Sequence, residues 1–146
     1  MDEQMLPIWA FAAGLGWLVL VSGASVVYRK SNGKPIRPRL PPDALFAERF
    51  ASSTWANNCL MVSVTSEALE VTPFFPFTLG FLPEIYRLDH RIPVRSIHSV
   101  ALLDTGWVNN VVIRHGPDER SLKLKLRNPA ALVQALSRLG VRALPR

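Results

Sequence analysis

The stretch SLKLKLRNPAALVQALSRLG (Ser121–Gly140) decides what kind of domain this chain makes. Its first half alternates: Leu122, Leu124 and Leu126 fall on one face, Lys123, Lys125 and Arg127 on the other. Period two is the pattern of a strand with one face in a core and one in water. At Asn128-Pro129 the period changes. Asparagine is a favoured N-cap, and proline is tolerated at the first helical position. Leu132, Val133, Leu136 and Leu139 then recur on one helical face, and Gly140 suits a C-terminal cap. A helix of about eleven residues with one apolar stripe has to lie against something. The open end or corner of a strand layer is the natural place.

The same alternation recurs upstream. Leu60, Val62 and Val64 alternate with Met61, Ser63 and Thr65, which puts the second set in solvent. Leu69 and Val71 continue after a Ser66-Glu67 turn. Ile85 and Leu88 lead through Ile92 into Ile97, Val100, Leu102 and Leu103, and Val111 and Ile113 alternate with Val112 and Arg114. Turn residues separate these runs at Asn57-Asn58 and at His115-Gly116-Pro117-Asp118. Residues 43–140 therefore predict a mainly-β domain. It should have about seven short antiparallel strands in a barrel or sandwich, closed by one C-terminal helix. Residues 141–146 are left as a tail.

The N-terminal region is of another kind. MLPIWAFAAGLGWLVLVSGASVVY (Met5–Tyr28) has 24 residues and no charge. As a helix it is about 36 Å long, more than the ~30 Å hydrocarbon thickness of a bilayer. Residues 5–28 predict a transmembrane helix after a short tail of residues 1–4. A secretory signal with cleavage near Ser22-Gly23-Ala24 is the competing reading, against which stand the acidic start (Asp2, Glu3) and the long apolar run. Only acidic charges precede the run, while Arg29, Lys30, Lys34, Arg37 and Arg39 follow it. The positive-inside rule then puts the N-terminus outside and the domain in the cytoplasm, at the inner membrane. Small-residue spacings such as Ala10–Gly14 and Ala12–Gly16 would suit helix pairing. Residues 29–42, with SNGKPIRPRLPP at their core, predict an extended basic tether along the membrane surface.

Composition narrows the function classes. The chain has 146 residues, 49% hydrophobic and 19% charged, with a formal net charge of +6. That excludes an intrinsically disordered protein and leaves room for one domain. A single cysteine, Cys59, excludes a disulfide framework and any multi-cysteine zinc site. His90, His98 and His115 are too far apart in sequence for a local metal motif, so no metal is expected. There is no phosphate loop, no HExxH and no GxSxG, so neither a cofactor nor an enzyme is expected. Nucleic acid is not an expected partner either, because the basic strand lacks interleaved aromatics.

Three segments in the right order, SVTSEALEV (Ser63–Val71), RIPVRSIHSV (Arg91–Val100) and the stretch from Ser121, resemble the pleckstrin-homology-like (PH-like, GRAM-like) domains of bacteria. RIPVRSIHSV (Arg91–Val100) is similar to their fourth-to-fifth strand signature, and SVTSEALEV (Ser63–Val71) to their second and third strands. SLKLKLRNPAALVQALSRL is similar to their last strand and capping helix. Together these cover nearly all of residues 45–140. The resemblance implies a seven-stranded PH-like barrel and a binding role. The chain departs from the phosphoinositide-binding branch. Phe46 to Val64 carries one basic residue, Arg49, in place of a basic cluster, and the capping helix lacks the usual tryptophan.

Two groups of residues are candidate contact sites. TPFFPFTLGFLP (Thr72–Pro83) is too apolar for an ordinary connecting loop. Phe74, Phe75, Phe77, Leu79, Phe81 and Leu82 would dock on a membrane-protein partner or enter the bilayer interface. The alternative is a small hydrophobic cluster under the domain's own loop. The second group is basic: Arg29, Lys30, Lys34, Arg37 and Arg39 in the tether, and Lys123, Lys125 and Arg127 on the strand. These could contact anionic lipid, or simply be a topology signal and a solvated outer face. The expected function is a membrane-anchored adaptor or subunit of a membrane complex, with anionic-lipid binding as the first alternative and a lipid-modifying enzyme as the last.

Overall fold

The computed structural model describes residues 8–104 and 109–145. Residues 1–4 and the first three residues of the expected span, 5–7, lie outside them. Helix α1 runs Ile8–Ser31, 24 residues, and is long and apolar enough to cross a membrane. It extends past the expected end at Tyr28 and takes in Arg29 and Lys30, which suit the negative end of the helix dipole. Termination is local. Gly33 adopts φ +67°, its N–H bonds the Lys30 carbonyl, and the Lys34 N–H bonds the Arg29 carbonyl. This is a Schellman motif, and the positive φ is what glycine supplies there.

The domain is a single eight-stranded sheet. Its strands are β1 (Phe46–Ser53), β2 (Leu60–Val64), β3 (Ala68–Pro73), β4 (His90–Pro93), β5 (Ile97–Asp104), β6 (Asn109–His115), β7 (Arg120–Lys125) and β8 (Arg142–Leu144). The order is β4-β3-β2-β1-β7-β6-β5-β8. All pairs are antiparallel except β5–β8. The sheet is curled and not closed, so β4 and β8 are edges. Strand β1 joins the two halves. Its first part pairs with β2, a bulge at Phe50 (φ +63°) shifts the register, and Ser52 and Ser53 pair with β7. Bulges bend a strand and change its twist, which is what sharing one strand between two half-sheets requires.

Leu60, Val62, Leu69, Val100, Val111, Ile113 and Leu124 fill the concave side. Helix α3 (Pro129–Arg138) covers it with Leu132 and Leu136, both fully buried. It starts as its sequence predicts, with the Asn128 side chain accepting from the Ala131 N–H. It ends in a second Schellman motif. Gly140 has φ +86°, and the Val141 N–H bonds the Leu136 carbonyl.

Three expectations are corrected. The described residues make eight strands rather than seven and the barrel is open, because Arg142–Leu144 of the expected tail turn back as β8 beside β5. Ile85 and Leu88 are not in a strand. Leu82–Ile85 forms a one-turn helix, α2, with Pro83 in its first turn, and β4 begins only at His90. Met61 and Ser63, expected in solvent, are buried, and Met61 is only 2% exposed. The physical reason is non-local: the segment after α1 lies over the outer face of β2, as described next.

A candidate junction between the apolar helix and the sheet

The tether is not free. Gly33, Lys34, Pro35, Pro38, Arg39 and Leu40 line a groove together with Met61, Ser63, Glu70, Val71 and Thr72. The prolines hold the chain extended there, and the Thr78 hydroxyl donates to the Ile36 carbonyl at 2.6 Å. Lower down, the Leu45 N–H donates to the Val64 carbonyl at 2.7 Å. The chain from α1 to β1 thus covers the β2–β3 surface as a second layer.

Arg29 is the centre of the junction. It was expected to contact lipid, but it is 1% exposed. Its Nη1 donates to Glu84 Oε1 at 3.1 Å and to Asp89 Oδ2 at 3.3 Å. Its Nε and Nη2 donate to the Pro35 carbonyl at 3.3 and 3.1 Å. Four of the five guanidinium N–H groups are therefore engaged. Asp89 Oδ1 accepts from the Thr72 hydroxyl at 2.7 Å, and Lys34 Nζ lies 3.8 Å from Glu84. One arginine thereby ties α1, the tether, β3, α2 and the start of β4. A desolvated charge so placed needs its partners, and removing either side leaves the other buried and unpaired. The signal in the sequence was faint: Arg29 stands one residue after the apolar run, where a topology charge also stands.

The phenylalanine-rich loop meets the same end of α1. The Phe81 N–H donates to Ser25 Oγ at 3.2 Å, and the Phe81 ring lies 5.7 Å from that of Tyr28. This explains a fully buried serine inside an apolar helix. Phe81 holds φ +61°, and Leu79 is half-buried. Phe74 packs edge-on against Phe50 of the bulge at 5.2 Å and against Phe77 at 5.4 Å. Phe75, Phe77 and Leu82 keep about two fifths of their surface exposed. Of the six candidate residues, Phe74, Leu79 and Phe81 are thus partly spent inside the molecule. Phe75, Phe77 and Leu82 form an outer edge.

The other basic candidates separate into two places. Lys30, Arg37 and Arg39 are exposed around the tether, and the Arg37 guanidinium lies 4.6 Å over the Phe75 ring. Lys123 and Lys125 project from the outer face of β7, where they line a groove beside Trp55. Arg127 follows them, with its guanidinium 5.4 Å over Phe50. Two residues that matter to this surface carried no sequence signal. Trp55 in the β1–β2 turn and Tyr86 after α2 are both exposed and share one cleft with Ile85, Arg87, His90 and Lys123.

Burial pushes the Cys59 thiol up, which disfavours the thiolate. Burial pulls His90 down, partly opposed by the Asp89 charge and a hydrogen bond with the Arg87 backbone. Among the described residues no group of three metal-ligating side chains converges. Neither the family models nor the curated proteins contain a match to this sequence.

Proposed function

We propose that this chain is a single-pass membrane protein whose PH-like domain lies on the cytoplasmic side and serves as a binding module. In this reading it is an adaptor or subunit of a membrane-protein complex, and binding rather than catalysis is its task. The carrying observation is the Arg29 junction. A buried guanidinium shared by α1, the tether, α2 and Asp89 just before β4 ties the helix to the domain. A domain held this way presents a set surface at a set height, which suits docking. The strand order, the bulged β1 shared between half-sheets and the covering helix α3 support the PH-like reading. The basic residues after α1 support a cytoplasmic domain. The exposed edge of Phe75 and Phe77 beside the helix end is the contact surface for a partner.

The experiment is photo-crosslinking from Phe75 and Phe77 in the full chain, in native membranes. A discrete protein adduct that disappears when the other phenylalanine is changed to Asp supports the reading. Adducts with lipid alone overturn it. They favour the second reading, an anionic-lipid module, for which Arg37 stacked on Phe75 and exposed Lys30 are the specific observations. That alternative predicts attachment that weakens with salt, since exposed charges are screened beyond about 10 Å at 0.1 M.

A further inference from the structure

The exposed face of α2 is left uncovered among the described residues. Leu82, Ile85 and Tyr86 point outward from one turn, while Pro83 is buried and Glu84 turns in to Arg29. Ile85 is 66% exposed, and Trp55, across the cleft from Ile85 and Tyr86, is 74% exposed. Large apolar side chains so exposed and so close together mark a surface that something covers. Its height is set by the junction. Arg29 is the first charge after the apolar run and holds Glu84, so α2 sits where the run ends. Tyr28, at that same end, packs on Phe81, the residue before α2.

We infer that the α2 face and Trp55 are embedded in the headgroup region of the bilayer that α1 crosses, as a second, monotopic contact beside the span. The chemistry fits that site. Tryptophan and tyrosine favour the interface, where an apolar ring meets polar headgroups. The cleft between them carries the cations Arg87 and Lys123 and, among the described residues, no carboxylate, so its charge complements lipid phosphate. The surface is also continuous with the helix end through Phe81. This inference rests on the proposed span. It adds that the domain lies tilted onto the membrane along the α2 side, not suspended from it.

Spin-label accessibility in the full chain tests both statements separately. Single cysteines replace Leu18, Trp55, Ile85 and Gln134 in a Cys59→Ala background, reconstituted in vesicles of mixed zwitterionic and anionic phospholipid. If Cys59→Ala misfolds, the same positions are labelled with buried Cys59 retained. Leu18 should be open to oxygen and closed to a water-soluble nickel chelate, and Gln134 on the outer side of α3 the reverse. The inference expects Trp55 and Ile85 to be shielded from nickel severalfold relative to Gln134, at all protein-to-lipid ratios. Equal nickel exposure at Ile85, Trp55 and Gln134, with Leu18 shielded, overturns the inference and leaves the span standing. Shielding that vanishes on dilution in lipid also overturns it, assigning the face to a second copy of the chain. Nickel access at Leu18 overturns the span and this inference together.

Discussion

Strands β2 and β7 carry the same sequence pattern and meet opposite fates. In each, three aliphatic residues at period two enter the core: Leu60, Val62 and Val64 in β2, and Leu122, Leu124 and Leu126 in and just after β7. The intervening residues of β7, Lys123 and Lys125, stand in water. Those of β2, Met61 and Ser63, are buried. The difference lies outside both strands. Residues 33–40 cross the outer face of β2 and nothing among the described residues crosses that of β7. The cover is held by Arg29, a residue thirty-two positions before Met61. A period-two pattern reports that one face is apolar. It does not report whether the other face is free.

Arg29→Ala should break this comparison most sharply. Removing one side of a buried ion pair costs roughly 3–5 kcal/mol. Here the loss should appear as release of the cover: hydrogen exchange of residues 34–45 and of the loop 74–82 should accelerate, with β6 and β7 unchanged. Arg29→Lys should recover only part of the protection, because one ammonium cannot supply the fork that reaches Glu84, Asp89 and Pro35 together. Uniform exchange across both half-sheets would mean the cover is not held separately.

Paired substitutions on the two outer faces sharpen the contrast. Met61→Lys buries an ammonium with no partner and should destabilise by at least about 2 kcal/mol. Lys125→Met on the exposed face should change stability by no more than about 0.5 kcal/mol. Denaturant unfolding in mild detergent measures both, and equal costs would show the two faces to be alike. Asn128→Ala, beyond β7, removes the α3 cap and should cost about 1 kcal/mol.

Acid should produce the smallest effect. Burial lowers His90 and His115 in the folded state, and for His115 the charges of His90, Arg120 and His98 add to it. A lowered histidine favours the neutral form, so its contribution is fully present above the unfolded value of about 6.5 and is lost as pH falls below it. Stability measured from pH 7.5 to 5 should decline on the acid side, and His90→Asn should flatten that decline. A pH-independent midpoint in the unchanged protein would contradict the assignment.

The elements themselves were legible because their causes are local. Strand β7, helix α3 with its Asn128 cap, Pro129 start and Gly140 end, and the apolar helix α1 all rest on contacts within a few residues. Strand β1 was harder, since the bulge at Phe50 interrupts any alternation in FAERFASS. Strand β8 is three residues long and exists only because β5 offers an edge. The candidate loop was found by its composition, yet half of it is partly spent inside the molecule, Phe81 on the helix end and Phe74 on the β1 bulge. Trp55 and Tyr86 were invisible because single exposed aromatics form no pattern along the chain. The same holds for Arg29: in sequence it is one of five basic residues after an apolar run, and in space it alone meets two carboxylates. Periodicity and capping are written into neighbouring residues, and so they determined α1, α3 and most strands, but not the one-turn α2. Which charge is buried, which face is covered and which loop is left exposed depend on segments 30 to 60 residues apart, and only packing brings those together.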